Sequence, residues 1–207
     1  NRVETIPHSM GRRIDKAKLV SIAAELDKTE DTERILPVEF IEPEINTEEL
    51  STLMFRDTLG SMSTYFSTST VNNKNRGENI RLASAKIFNT ILAPEQEFSF
   101  NGIVGPRTEE KGYKQAHVYV AGEVVDGIGG GICQVSTTLY NAVLFSDLEV
   151  TERMNHMFTV GYVPLGRDAA VSYGGPDFKF KNSTDWPVKI VGSVSPSNKI
   201  TFAIKGT

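Results

Sequence analysis

Cysteine is almost absent from this chain of 207 residues, and its scarcity excludes two common architectures. A single cysteine cannot build an internal disulfide framework or a zinc site made from several thiolates. Long apolar runs are missing as well. A membrane-spanning helix needs about 18 consecutive apolar residues, and no stretch is that long, so we expect no membrane span. The sequence has no basic run, and its formal net charge is -4, so we expect no nucleic-acid partner.

The composition is that of a globular protein. Hydrophobic residues make up 39% of the chain and charged residues 23%, which is enough apolar material for a substantial core. A helical pattern precedes a series of strand patterns, so we predict an α+β fold in which a few helices cover an antiparallel β-sheet. The chain begins at Asn1 rather than with methionine, and we therefore expect it to be a segment of a longer protein.

Three parts are predicted along the chain. Residues 1–45 are expected to form a small α+β unit, with a helix capped by Asp15 and an edge strand over 35–41. Residues 46–64 are predicted to be a linker helix that begins with a capping motif. Residues 65–207 are predicted to form the main domain.

Two helices and a series of strands are predicted in the main domain. Apolar residues at helical spacing predict helices over 78–89 and 133–145, and the segment 150–204 is predicted to be rich in strands. A strand over 150–162 would turn His156 towards the side of the sheet that the second helix covers.

The most distinctive segment is a glycine run that leads into the cysteine, GIGGGICQ at 127–134. Glycine allows backbone conformations and close approaches that other residues do not. The run ends where the second helix begins, which places Cys133 in a helical first turn, where free N–H groups and the helix dipole stabilise a thiolate. Two alternatives stay open: Cys133 is a small buried apolar residue, or the glycines hold an anionic ligand at the helix terminus.

A nucleophilic thiol needs a base and an orienting group, and the chain has three histidines. We predict that His156 is the base and that Asp168, after a turn, orients it. A cysteine at a helix start followed by a histidine and an aspartate on neighbouring strands is the order found in papain-like and transglutaminase-like enzymes. The alternatives are a core histidine with a turn aspartate, or three ligands of a metal site, but we expect no metal and no cofactor.

Residues around the cysteine are the candidates for binding a ligand. The amide of Gln134 is suited to donate to an oxyanion, or it caps its own helix. The hydroxyl cluster that follows is unusual for a helix interior and either binds ligand or hydrogen-bonds the helix backbone. The residues expected to bind ligand are Gly129, Gly130, Gly131, Gln134, Ser136 and Thr137.

These motifs resemble the signature of the VanW family. The resemblance is carried by GGGICQVSTTLYNAV at 129–143, YVPLGRDA at 162–169 and YGGPD at 173–177, and it extends over about 65–190. Residues 1–45 resemble the end of a peptidoglycan-binding domain that often precedes VanW domains. The resemblance implies an exported cell-surface protein of Gram-positive bacteria, in a family that includes proteins encoded beside glycopeptide-resistance genes, and it implies no settled activity.

The residues and the resemblance together predict an exported α+β protein with a transglutaminase- or papain-like core, which acts on the peptide stem of peptidoglycan. Cys133 would attack an amide carbonyl, His156 would transfer the proton, and Asp168 would orient His156, in hydrolysis or transpeptidation. The expected location is extracellular, attached to the wall or the membrane through a preceding segment. The alternatives are a peptidoglycan-binding module without catalysis, linked to glycopeptide resistance, and a structural or partner-docking module.

Overall fold

The described residues fall into two compact units, one within 4–53 and one within 54–207, in the computed structural model. The structure describes residues 4–26, 33, 35–120 and 123–207. Each unit has its own secondary structure, and the residues predicted to form the functional site all lie in the second.

The first unit consists of two short helices and a pair of antiparallel strands. Its elements are β1 (Gly11–Ile14), α1 (Lys16–Leu26), β2 (Val38–Ile41) and α2 (Thr47–Leu53), with β1 paired to β2. Asp15 accepts hydrogen bonds from the N–H groups of Ala17 and Lys18 at 3.1 and 3.0 Å, which caps α1 as predicted. Asn46 and Glu49 cap α2 reciprocally, since each side chain accepts from the backbone N–H of the other.

The second unit contains a four-stranded sheet, a three-stranded sheet and a hairpin, all antiparallel. Its strands are β3 (Asp57–Tyr65), β4 (Ile91–Leu92), β5 (Glu97–Ser99), β6 (Gln115–Val120), β7 (Glu123–Ile128), β8 (Glu149–Glu152), β9 (Lys179–Lys181), β10 (Val188–Val194) and β11 (Lys199–Gly206). Its helices are α3 (Val71–Ile87), α4 (Phe100–Val104) and α5 (Ile132–Phe145), with a 3-10 turn at Glu109–Lys111. The strand orders are β3-β11-β10-β4 and β5-β9-β8, and β6 pairs with β7. The predicted α+β class is confirmed.

The core of this unit lies between α5 and the four-stranded sheet. Val135, Leu139 and Val143 on α5 are fully buried, as their helical spacing predicted. Strand β11 alternates buried residues with partly exposed ones, and its Ile200 and Phe202 are fully buried. Burial of each such side chain stabilises the fold by about 1.5–3 kcal/mol, which fixes the helix that carries the cysteine.

The segment 46–64 differs from the predicted linker helix. Only Thr47–Leu53 is helical, and Asp57–Tyr65 is an edge strand of the four-stranded sheet. Thr64 is buried on this strand. Packing against α5 and pairing with β11 therefore decide the structure here, in preference to local helical propensity.

Helix α3 begins earlier than the predicted start at 78 because its polar first turns bind the backbone of β6. Asn75 donates to the carbonyl oxygen of Gln115 at 2.9 Å. Asn79 is fully buried and donates to the carbonyl oxygens of Lys114 and Gly130 at 2.9 and 3.0 Å. These asparagines tie α3 to the glycine run.

The predicted strand over 150–162 is wrong beyond Glu152, where β8 ends. The guanidinium of Arg153 donates to the carbonyl oxygens of Asp168 and Gly166 at 2.7 and 3.0 Å. Side-chain to main-chain bonds hold this segment where a ladder of backbone hydrogen bonds was expected. His156 therefore lies in an irregular loop.

Candidate functional site

The glycine run before α5 fits closely between β6 and α3. Gly130 is buried, and a Cβ atom added there would lie 2.6 Å from the carbonyl oxygen of His117. Gly131 is the N-cap of α5 and has φ of 100°, a conformation that residues with side chains rarely adopt. The helix therefore begins at Ile132, and Cys133 lies in its first turn as predicted.

Cys133 is half-buried, and its side chain contacts two groups. The thiol donates a weak hydrogen bond to the carbonyl oxygen of Val171, with Sγ and O 3.4 Å apart. Cys133 also interacts with the imidazole of His156, and this interaction acts to raise the pKa of the imidazole. The thiol therefore has a candidate base beside it.

Asp168 holds His156 by two short hydrogen bonds to one carboxylate oxygen. Oδ2 lies 2.6 Å from Nδ1 of the ring and 2.6 Å from the backbone nitrogen of the same residue. The other oxygen, Oδ1, accepts from Arg153 at 3.2 Å. Because Nδ1 is engaged by the carboxylate, Nε2 is the ring nitrogen left for Cys133. The structure brings the three predicted residues together, although not on the strands where they were expected.

The electrostatics of the pair favour a protonated imidazole and an ionised carboxylate. Burial acts to lower the pKa of His156, but the hydrogen bonds and charges of Cys133 and Asp168 outweigh it and raise the pKa above 6.5. Burial acts to raise the pKa of Asp168, but the hydrogen bonds from the backbone and ring of His156 outweigh it and lower the pKa below 3.8.

Hydroxyl groups on α5 fix the position of Asp168. Ser136 Oγ donates to the carbonyl oxygen of Ala169 at 2.7 Å, and Thr137 Oγ1 accepts from the N–H of Ala169 at 3.0 Å. Both hydroxyls are buried. The hydroxyl cluster therefore anchors the residue next to the aspartate, and its role in binding a ligand stays a prediction.

The side-chain amide of Gln134 ties α5 to its neighbours. Its Nε2 donates to Thr64 Oγ1 at 3.0 Å and to the carbonyl oxygen of Tyr65 at 2.9 Å. Its Oε1 accepts from Arg76 at 2.6 Å. In this conformation the amide binds protein groups, and a ligand contact of Gln134 stays a prediction.

An open cleft of ≈ 390 Å³ lies beside His156 and Asp168. It is lined by the irregular loop between 153 and 168. The loop exposes large apolar side chains, with Met157 86% and Leu165 80% exposed. A cleft of this volume next to titratable groups can accommodate a short peptide segment.

Sequence analysis missed Arg107, which lies near the thiol. Both terminal nitrogens of its guanidinium are buried and have no hydrogen-bond partner among the described residues. Burial lowers the pKa of Arg107, against opposing interactions with Tyr113 and Cys133. An arginine after a Gly-Pro turn carries no sequence signal for such a site, since the turn indicates only a loop.

Tyr162 is a second site residue that sequence analysis missed. Burial and then the charge of Cys133 raise the pKa of its phenol, against an opposing hydrogen bond with Thr137. The phenol is therefore protonated throughout the neutral range and interacts with Cys133 through the charge of the sulfur. The sequence places Tyr162 in the family-like segment 162–169, but it gives no indication of this interaction.

The described residues offer neither a cluster of metal ligands nor a membrane-spanning helix. Among the described residues, no group of three or more His, Cys, Asp or Glu side chains is arranged to hold a metal ion. The helices within those same ranges include none that is long and apolar enough to cross a membrane.

Comparison with known proteins gives one family and two relatives. The family described as VanW like protein matches residues 75–205. The Bacillus subtilis protein YoaR, itself uncharacterized, is 47% identical over 150 residues, which is 72% of this chain and 48% of YoaR. The Enterococcus faecalis vancomycin B-type resistance protein VanW is 29% identical over 122 residues, 56% of this chain and 44% of that protein. The chain spans about half the length of the curated relatives it matches. No solved structure matches the chain.

Proposed function

This chain belongs to the VanW-like protein family, and we propose that it is a thiol-dependent acyl-transfer enzyme acting on peptide amides of the bacterial cell wall. The observation that supports the proposal is the short hydrogen bond from Asp168 to the imidazole of His156, together with the interaction of that imidazole with Cys133 at the start of α5. A thiol, a base and an orienting carboxylate are the groups that nucleophilic catalysis requires.

The first half-reaction forms a thioester. The proton of the Cys133 thiol passes to His156 to give the protonated imidazole that the site favours, and the resulting thiolate attacks the carbonyl carbon of a peptide amide. The C–N bond then breaks as His156 returns the proton to the leaving amine. Asp168 orients the imidazole and stabilises its protonated form.

The second half-reaction releases the acyl group. His156 removes a proton from water or from an acceptor amine, which attacks the thioester carbonyl. The C–S bond breaks, and the thiolate of Cys133 regains its proton from the imidazole. The acceptor decides between hydrolysis, which gives a carboxylic acid, and transpeptidation, which gives a new amide.

The backbone N–H of Cys133, at the start of α5, is proposed to stabilise the oxyanion of the tetrahedral intermediate. The N–H of Ile132 already donates to the carbonyl oxygen of Gly129 at 3.3 Å and that of Gln134 to Gly131 at 3.0 Å, whereas the N–H of Cys133 has no acceptor among the backbone bonds of the described residues. The side chain of Gln134 already donates to Thr64 and Tyr65. The backbone around Cys133 is therefore the more available donor.

The peptide stem of peptidoglycan is the proposed substrate, and the outer side of the cell membrane is the proposed location. One relative is named a vancomycin B-type resistance protein, which supports a role at the cell wall. The cleft of ≈ 390 Å³ beside His156 supports a substrate of peptide size.

The test is to incubate the protein with purified muropeptides and to weigh the intact protein by mass spectrometry. The proposal predicts an adduct with the mass of an acyl fragment on Cys133, labile to hydroxylamine as a thioester is. Cys133→Ser should abolish this adduct. Muropeptides that bind but form neither adduct nor product would contradict the enzyme and favour the binding module.

A further inference from the structure

We propose that Arg107 binds a carboxylate of the substrate beside the scissile amide, and that the ring of Tyr173 covers this site until substrate arrives. The inference rests on the proposed function, because it uses Cys133 as the point of attack. It adds a substrate class: peptide amides that carry a free carboxylate close to the reacting carbonyl.

The guanidinium of Arg107 is buried without the partners that such a group requires. Nη1 and Nη2 are both inaccessible and make no hydrogen bond with any described residue. Buried charged groups are ordinarily paired or fully hydrogen-bonded, since leaving one unpaired costs several kcal/mol. An orphaned guanidinium beside a reactive centre therefore indicates a group that binds there.

Two aromatic rings contact the guanidinium without using its N–H groups. The ring centroids of Phe100 and Tyr173 lie 5.6 and 5.8 Å from Cζ of Arg107. Phe100 is fully buried, whereas Tyr173 is 57% exposed. Phe100 is thus a fixed support, and a rotation of the Tyr173 side chain would uncover the guanidinium.

The neighbouring carboxylate, Asp177, is committed to other donors. Its Oδ2 accepts from Ser99 Oγ at 2.6 Å, and its Oδ1 accepts from the backbone N–H groups of Asn101 and Phe178, each at 2.8 Å. Asp177 interacts with Arg107 through its charge but forms no ion pair with it among the bonds described. A carboxylate of a bound substrate would therefore be the ion-pair partner of Arg107.

The surroundings of Arg107 favour an anion. Lys86 lies over the ring of Tyr113, with its Nζ 5.3 Å from the centroid. Its Nζ also donates to the carbonyl oxygen of Val104 at 2.9 Å, and burial and then the charges of Lys111 and Arg107 lower the pKa of Lys86. Tyr113 is 1% exposed, and its hydroxyl also has no partner among the described residues.

Arg107 and Cys133 contact the same two segments. A Cβ atom added to Gly129, in the run that leads into α5, would lie 3.1 Å from the Cβ atom of Arg107. Val171 accepts the thiol hydrogen bond, and Tyr173 covers the guanidinium two residues later, at most about 7 Å along the chain. Neighbouring residues of one segment therefore contact both the sulfur and the guanidinium, and we propose that one substrate contacts both groups.

Guanidinium groups recognise carboxylates through two parallel N–H···O bonds, and both terminal nitrogens of Arg107 are available for them. A stem peptide offers such a carboxylate at its C-terminus and on its acidic side chains. The C-terminal carboxylate and the side-chain carboxylates present the same chemistry to Arg107. Converting each kind of carboxylate to an amide, one kind at a time, shows which of them Arg107 binds.

The test compares three synthetic stem peptides: one with free carboxylates, one with a C-terminal carboxamide, and one with amidated side-chain carboxylates. Thioester formation is measured on the wild type, and binding is measured by calorimetry on Cys133→Ser. We expect one of the two blocked peptides to bind about 10–100-fold more weakly than the free peptide. Arg107→Gln should remove that preference, and Arg107→Lys should keep part of it.

Arg81→Gln is the matched control, because Arg81 also lies over an aromatic ring, that of Phe66, at 5.4 Å. It should leave the preference intact. Equal binding of all three peptides by Cys133→Ser would overturn the inference, and this comparison holds even if Arg107→Gln does not fold. Absence of a thioester with every peptide would instead contradict the proposed function, while the calorimetry on Cys133→Ser would still decide the role of Arg107.

Discussion

At the scale of single residues, His156 and Asp168 stabilise each other in their charged forms. Their side chains are each 12% exposed and lie 2.6 Å apart, so solvent screens the pair only weakly. The raised pKa of His156 and the lowered pKa of Asp168 are therefore also statements about stability.

The pair predicts a pH window in the free energy of unfolding. Because the pKa of His156 is raised above 6.5, its contribution is fully present below that pH and is lost as pH rises through the folded-state pKa. Because the pKa of Asp168 is lowered below 3.8, its contribution is present above that pH and is lost as pH falls through the folded-state pKa. His156→Gln should therefore be most destabilising between 3.8 and 6.5, as measured by urea unfolding across pH.

His117→Gln is the control for this measurement. His117 also faces an aspartate, Asp126, but the two atoms are 3.6 Å apart and the side chains are 61% and 66% exposed. Such a surface pair contributes little to stability. A deficit for His156→Gln that does not vary with pH would contradict the coupling between His156 and Asp168.

At the scale of elements, α5 serves both as the core helix and as the support of the site. Its apolar stripe packs on the sheet, while its buried hydroxyls bind Ala169. This dual role explains the polar residues inside a buried helix, because each hydroxyl has a backbone partner there.

Thr137→Val tests this support. The substitution keeps the shape of the side chain but leaves the N–H and carbonyl of Ala169 without their bonds to Oγ1 at 3.0 and 3.3 Å. We expect a loss of about 1–3 kcal/mol in the free energy of unfolding. Thr58→Val, at an exposed position of β3, should change stability by less than about 0.5 kcal/mol. Equal effects of the two substitutions would show that the hydroxyl of Thr137 does not anchor the loop.

The glycine run predicts a steric effect in the same element. A Cβ atom at position 130 would meet the carbonyl oxygen of His117 at 2.6 Å, and the backbone of β6 cannot move aside as a flexible side chain would. Gly130→Ala should therefore destabilise the protein by about 1–3 kcal/mol and displace the start of α5. Gly161→Ala is the control, because an added Cβ atom there has nothing within 4 Å. Chemical unfolding and crystal structures of both variants check this prediction.

At the scale of the whole molecule, all site residues belong to the unit 54–207. Cys133, His156, Asp168 and Arg107 lie within it, and so do the residues of the hydrophobic core. We expect a chain of residues 54–207 to unfold cooperatively. Iodoacetamide should alkylate its Cys133 at a rate within about twofold of the rate for the full chain. Failure of this shorter chain to fold would show that 3–53 is required by the second unit.

The sequence predicted the parts of the molecule that local patterns determine. The stripe of Val135 and Leu139 predicted α5, and the glycine run predicted that Cys133 lies in its first turn. The strand through His156 was wrong because Arg153 binds main-chain carbonyls in its place, a contact without any periodic pattern. The role of Arg107 could not be predicted from the sequence, because its burial depends on contacts with residues of other segments, such as Tyr173.

The most direct test of the central claim is the rate of iodoacetamide alkylation at the single cysteine across pH, in wild type, His156→Gln and His117→Gln. The account predicts rapid labelling at about pH 7 in the wild type and in His117→Gln, and labelling at least about 10-fold slower in His156→Gln. A thiol that reacts at the same rate in all three proteins, or only after unfolding, would contradict an activated nucleophile at Cys133.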